Sequence, residues 1–298
     1  MAASETRARR VARGKTCGPL DIALRRHAQY ADHVCADRAR DALSSRRRGR
    51  AILAAASSWS AAALLPSSAM HGLPPLRAGS PDAVIWQQIY LCADRDFMSA
   101  RLHVMREAGV SAVVVTADLV PGGFSAHAGV PAPPRAEWEP DAPPAPAPMF
   151  AAAGIEDLEW FCSEAGLPVL VKGVLRADDA RRCLDAGARG LVVSNHGGNQ
   201  LSDALATCDA LPAIVAACGD NAAIIVDGGI RSGACAFKAL ALGAHAVMIG
   251  RPTSWGLAAN GADGAAAALA LLDAELDRAM RLCGASDLAA ITRGFIAV

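Results

Sequence analysis

A joint that recurs along the chain restricts its fold more than any other feature: a helical segment, then glycine, then a short β-branched run. It reads "EAGVSAVVVT" at 107–116, "DAGARGLVVS" at 185–194 and "ALGAHAVMIG" at 241–250. Short apolar runs of this kind, bounded by turn residues, read as strands buried on both faces, as strands of a parallel sheet are. Further runs are "LPVLVKG" (167–173), "GLVVSNHGG" (190–198) and "AAIIVDGG" (222–229). The segments between them, "ADDARRCLDAGA", "CDALPAIVAACGD" and "GACAFKALALGA", are amphipathic at helical spacing and close on glycine.

Upstream, "DAVIWQQIYL" (82–91) and "AILAAASSWS" (51–60) are read as two more strands, and "GPLDIAL" (18–24) as a weak first one. Eight consecutive βα units with right-handed crossovers favour a closed (β/α)8 TIM barrel over an open doubly wound sheet. The expected organisation is a poorly ordered tail at 1–17 and one barrel at 18–298 with a degenerate first unit. Two stretches resist the scheme. "VPAPPRAEWEPDAPPAPAPMF" (130–150) is rich in proline and alanine and reads as a long loop after the fourth strand. Residues 25–50 carry "SSRRRGR", a charge density that suits an exposed outer helix or a stretch that folds poorly.

Composition narrows the partners. Lys+Arg and Asp+Glu are both 29. The chain therefore has no global electrostatic footprint for nucleic acid or an anionic membrane, and small molecules or copies of itself are the expected partners. Nine cysteines with no C-x-x-C pair argue against a disulfide framework and a zinc site, and point to a reducing, cytoplasmic setting. No run of about 18 apolar residues is present to span a bilayer. The Arg-rich start "MAASETRARRVARGK" has no apolar core, which is not the pattern of a secretory signal. His27, His71, His103 and His127 show no metal-ligand spacing, while Trp255, Met248 and His245 read as packing residues. The C-terminal "AAAALALLDAELDRAMRLCG" reads as a last outer helix whose apolar surplus suits a subunit contact.

In a barrel of this type the ligand site lies at the C-terminal ends of the strands. Polar groups converge there: Ser57, Gln88 with Tyr90, Thr116 with Asp118, Lys172, His196 with Asn199, Asp227-Gly228-Gly229 with Arg231, and Gly250-Arg251. Each alone is commonplace, since a strand-end histidine is usually a structural hydrogen-bonder and Asp-Gly-Gly usually a turn. Together they describe a polar rim. Glycines at strands seven and eight let backbone N–H groups approach an anion, and Arg231 and Arg251 add fixed charge, so this end reads as a phosphate cradle.

The segments "LPVLVKGV", "VVSNHGGNQL", "VDGGIRSG", "KALALGAHAVMIGRP" and "GLAANGADG" resemble the FMN-dependent α-hydroxy-acid oxidase and dehydrogenase family, which includes glycolate oxidase, lactate oxidase and mandelate dehydrogenase. The resemblance is strong from about 155 to 298, fair from about 51 to 120 and poor elsewhere. It implies an FMN cofactor, a small-molecule substrate, an electron acceptor (oxygen, a quinone or a protein carrier) and a homo-oligomer, commonly a tetramer. It implies His196 as the base and Asp118 as its carboxylate partner, with Tyr90 on the substrate. Ser57, Gln88 and Thr116 would contact the isoalloxazine and Lys172 its N1–C2 edge. Asp227, Gly228, Gly229, Arg231, Gly250 and Arg251 would hold the ribityl phosphate. The implied reaction is oxidation of a CH–OH or CH–NH centre, with a proton passing to His196 and two electrons to the flavin.

Two departures bear on substrate. The family motif N-H-G-G-R-Q carries an arginine that clamps the substrate carboxylate, and here that position is Asn199. A second family arginine falls in "LVPGGFSAHAG" (119–129), which contains no Arg or Lys. A branch acting in mycofactocin maturation has N-H-G-G-N and oxidises a peptide-derived lactam, and "QIYLCADRD" also resembles it. The alternative is a non-catalytic or decayed flavin-binding homologue. The first-strand flavin tripeptide of the family is absent from "GPLDIALRRH", which is consistent with that alternative. Type II isopentenyl-diphosphate isomerases share the G-G-I-R and G-R cradle but lack the S-N-H-G-G motif.

Overall fold

The computed structural model describes residues 31–33, 45–67, 72–119, 153–201 and 203–296, with backbone alone for 31–33, 45–48 and 221. The expected tail (1–17), the expected strand 18–24, the loop 130–150 and residues 120–129 lie outside the described residues.

Eight parallel strands close into a barrel in chain order. They are β1 Ala31–His33, β2 Ala62–Leu65, β3 Val84–Ile89, β4 Ala112–Thr116, β5 Val169–Val174, β6 Gly190–Val193, β7 Ala223–Val226 and β8 Ala246–Ile249, with β8 pairing back onto β1. Around them run α1 Ser45–Ser58, α2 Leu73–Gly79, α3 Arg95–Glu107, α4 Ile155–Glu164, α5 Ala177–Asp185, α6 Thr207–Cys218, α7 Gly233–Ala241 and α8 Arg251–Cys283. α8 is broken at Asn260–Gly261, where Gly261 takes φ +56. Gly256 and Gly264 then approach so closely that a Cβ on Gly256 would lie 2.2 Å from the Gly264 carbonyl.

The expected strand at 51–60 is a correction. Those residues belong to α1, and the strand lies just beyond it at Ala62–Leu65. Alanine is the strongest helix former. Ile52, Leu53, Ala55 and Ala56 are buried at helical spacing, so an alanine-rich run that looks uniformly apolar buries one face only. Ser57 is therefore exposed at the C-terminal end of α1, which leads into the N-terminal end of β2, the barrel face away from the strand C-termini. It cannot contact a ligand at the strand C-termini. The short β1 also lies where no apolar run signals a strand.

Side chains alternate across a strand, so every second residue faces the barrel interior. The inward set forms a closed apolar plug: Ala62, Leu64, Trp86, Ala112, Val114, Leu170, Val192, Ile225, Ala246 and Met248. Two residues further along each strand direction the inward positions turn polar. Trp86 is followed by Gln88, Val114 by Thr116, Leu170 by Lys172, Val192 by Ser194 and Ile225 by Asp227. The outward set packs against the helices in a second, larger cluster that includes Ile85, Val113, Leu191 and Ile224. The plug thus forms the floor on which a polar layer stands.

Trp86 is the largest side chain in the plug, 2% exposed, and its indole N–H has no hydrogen-bond partner among the described residues. Trp86→Ala should cost about 3–5 kcal/mol by cavity formation. Trp86→Phe should cost much less, because it also removes a buried, unsatisfied donor. Urea denaturation followed by circular dichroism measures both.

Candidate active site

The polar layer at the strand ends begins with Lys172, whose side chain is fully buried. An isolated charge at that depth is prohibitive, and the fold compensates with two neighbours. Lys172 Nζ donates to Ser194 Oγ at 2.9 Å and lies 3.4 Å from Asp227 Oδ2. Asp227 Oδ1 is buried without a hydrogen-bond partner among the described residues, and Asp227 lines the cavity described below.

His196 stands opposite. Its Nδ1 is 3.0 Å from Asp118 Oδ1, with both side chains mostly buried. A carboxylate in that place holds the ring with the proton on Nδ1 and stabilises the imidazolium if the ring takes a second. The approach depends on Gly173, at a register shift between β5 and β6. With φ +105, a Cβ there would lie 2.5 Å from the Asp118 Cβ. The turn after β6 is tight: His196, Gly197 and Gly198 take φ of +55, +66 and +79 in succession. Asn195 Oδ1 accepts from the Gly197 N–H at 3.1 Å, and Ser194 Oγ from the His196 N–H at 3.2 Å. For a histidine, the left-handed region is uncommon.

Lys172, His196, Asn199, Asp227, Gly228, Arg231, Gly250 and Arg251 line one cavity, floored by Met248. Gly228 and Gly229 adopt φ +77 and +79, which turns their amides outward. The hydroxyl of Thr207 clamps this turn by donating to the carbonyls of Asp227 (2.7 Å) and Gly228 (3.2 Å). Partial burial and then the neighbouring Arg251 push the Arg231 guanidinium below its usual value. Arg231 is further held over the Trp255 ring at 5.4 Å, and Arg251 donates to the Gly197 carbonyl at 3.2 Å. Trp255 is 59% exposed, so its expected place in the core is corrected: it supports Arg231 from outside. The start of α8 at Arg251 adds its positive dipole end to the same spot.

On the β3 and β4 side, Gln88 Nε2 donates to Thr116 Oγ1 at 3.0 Å, both buried. Tyr90, just past β3, is half-buried. Ser67, just past β2, donates its backbone N–H to Gln88 Oε1 at 3.0 Å. Ser67 occupies the strand-end position that had been assigned to Ser57. Sequence reading passed over Ser67, Ser194, Thr207 and Gly173. Of these, a glycine inside the β5 run is itself a signal for a bulge or a close approach. The packing reading holds for Met248, which is buried, and for His245, whose Nδ1 accepts the Ile224 N–H at 3.0 Å. No cluster able to hold a metal occurs among the described residues.

A closed (β/α)8 barrel with a two-arginine anion cradle, a buried lysine and a histidine–aspartate pair on one rim defines a phosphate-bearing cofactor barrel with an acid–base group beside the cofactor. The chain belongs to the FMN-dependent dehydrogenase family, whose profile matches residues 34–298. It is 52% identical over 141 residues to the L-lactate oxidase of Nostoc sp., covering 47% of this chain and 39% of that protein. It is 42% identical over 207 residues to the 4-hydroxymandelate oxidase of Amycolatopsis orientalis, covering 70% and 56%. It is 34% identical over 245 residues to 2-hydroxyacid oxidase 2 of Rattus norvegicus, covering 78% and 69%. The chain therefore spans about half the length of the curated relatives it matches. A solved mandelate oxidase mutant with (S)-mandelic acid superposes with a TM-score of 0.74 at 34% identity, over 89% of this chain and 76% of that one.

The residues fit the family's cofactor. The arginine pair and the glycine amides suit a phosphate, the orphaned Asp227 Oδ1 suits a ribityl hydroxyl, and the Lys172 ammonium suits the electron-rich edge of a reduced flavin.

Gly173→Ala should separate Asp118 from His196 and cost at least about 2 kcal/mol, since it adds both a clash and a strained φ. Urea denaturation checks the stability, and a shift in the His196 imidazole NMR signals checks the lost contact.

Proposed function

We propose that this chain is an FMN-dependent oxidoreductase that oxidises a CH–OH centre of the 2-hydroxy-acid type, or the related CH–NH centre, with His196 as base. The observation that carries the reading is the 3.0 Å contact of His196 Nδ1 with Asp118, on the same cavity as the buried Lys172. With Nδ1–H donating to Asp118, Nε2 carries the lone pair that takes the substrate's proton, and Asp118 stabilises the charge that appears on the ring. Bound FMN supplies the two-electron acceptor. Lys172 stabilises negative charge at its site, Arg231 and Arg251 hold its phosphate, and Gln88 and Thr116 hydrogen-bond its ring. Tyr90 contacts the substrate. The second substrate is an electron acceptor: oxygen, a quinone or a protein carrier. The intact histidine–aspartate pair counts against a non-catalytic barrel, which would have no reason to keep a strained, carboxylate-paired histidine.

Asn199 sets the substrate preference. It lines the cavity where the resemblance expects an arginine, so the group beside the reacting carbon meets an amide and gains a hydrogen bond but no ion pair. The described residues act as one FMN-binding barrel. A homotetramer and a cytoplasmic setting complete the reading. The seven free cysteines among the described residues support that setting. No helix among the described residues is long and apolar enough to cross a membrane.

The purified protein should carry a visible flavin band that bleaches anaerobically with substrate. A chain that retains no FMN at saturating concentration refutes the reading. His196→Gln should retain FMN and reduce the bleaching rate by about 10²–10⁴-fold, the usual contribution of a general base. Asn199→Arg should raise kcat/KM for lactate or mandelate by roughly 30-fold, about 2 kcal/mol for one charge-assisted contact, and leave the corresponding amides unimproved.

A further inference from the structure

Ser194 is a fully buried polar side chain that touches both Lys172 and His196. It is the first residue beyond β6 and occupies the same inward, strand-end level as Lys172 and Asp227. Its Oγ accepts from Lys172 Nζ at 2.9 Å and from the His196 backbone N–H at 3.2 Å. A hydroxyl oxygen has two lone pairs, so these two donors fill it.

We propose that Ser194 is a positioning residue that sets both groups at once, an inference that rests on the FMN reading above. Toward Lys172 it supplies the nearer of two oxygens: the ammonium is 2.9 Å from the serine and 3.4 Å from Asp227 Oδ2, so the hydroxyl fixes where the cation sits beside the carboxylate. Toward His196 it anchors the first of three consecutive left-handed residues, at the only one of the three that is not glycine. That bond holds the imidazole in reach of Asp118. Without the hydroxyl, Lys172 loses its shorter oxygen contact and is free to shift, and the turn after β6 loses its first tie. One substitution therefore moves two properties that packing alone would not couple.

The test compares Ser194→Ala, Ser194→Cys and Ser194→Thr. Cysteine keeps the volume but accepts hydrogen bonds weakly, and threonine keeps the hydroxyl. Hydrogen exchange of the His196 amide, followed by NMR on the cofactor-free chain, should quicken about tenfold or more in the alanine and cysteine variants and stay at the wild-type rate with threonine. In the FMN-loaded protein, the flavin reduction potential should fall in the alanine and cysteine variants, because the ammonium no longer supports the reduced ring, and return with threonine. The bleaching rate should fall with them at roughly unchanged KM. Wild-type exchange and wild-type potential in Ser194→Ala would overturn the proposal. If that variant does not fold, Ser194→Cys behaving as wild type in both measurements overturns it equally. A wild-type chain that holds no FMN refutes the functional reading, yet the exchange measurement still decides whether Ser194 positions His196.

Discussion

The burial of the Lys172 ammonium organises this molecule. A cation with no solvent access is stable only where the surrounding chain offers oxygens at fixed places, and here those oxygens come from the next two strands in the barrel. β6 must deliver Ser194 and β7 must deliver Asp227 at the same height as Lys172. That height is set by the parallel register, in which Lys172 pairs with Val192 and Val193 with Val226. The apolar plug beneath excludes water from below, which makes each of these contacts electrostatically stronger than it would be in solvent. The loops above the strands inherit their positions from this layer: the His196 turn grows directly out of Ser194, and the arginine cradle out of Asp227.

Backbone rather than side chain sets the remaining dimensions. Gly173 admits Asp118 and so lets the β4 end reach the histidine that leaves β6. Gly228 and Gly229 adopt left-handed conformations after β7, and the Thr207 hydroxyl holds that turn. The two arginines arrive from beyond β7 and β8 and line the same cavity, where each raises the cost of charging the other. Charge is thus arranged in two regions of one rim, a pair of arginines at one end and a lysine with a histidine–aspartate pair at the other.

Much of this was legible in the sequence because inward positions follow a simple rule: an apolar residue, then two steps later a polar one, on β3 through β7. Gln88, Thr116, Lys172 and Asp227 stand out by that spacing. Ser194 obeys the same rule and was passed over only because it precedes a more conspicuous histidine. The second strand was misplaced because alanine carries little information about period, so "AILAAASSWS" reads as apolar throughout although only one helical face is buried. With it went Ser57, a serine at the wrong end of the barrel. Thr207 had no local signal at all, since its importance lies in two carbonyls twenty and twenty-one residues away. The pairing of His196 with Asp118 likewise spans 78 residues and followed from resemblance, not from spacing.

His196 is also where the protein works against its own durability. Position 196 demands a left-handed backbone, which glycine adopts without cost and an imidazole-bearing residue does not. A glycine there would relax the turn, so the fold is more fragile with this histidine than it would be without it. Under the proposed function, a durable fold and proton transfer pull in opposite directions at this one residue.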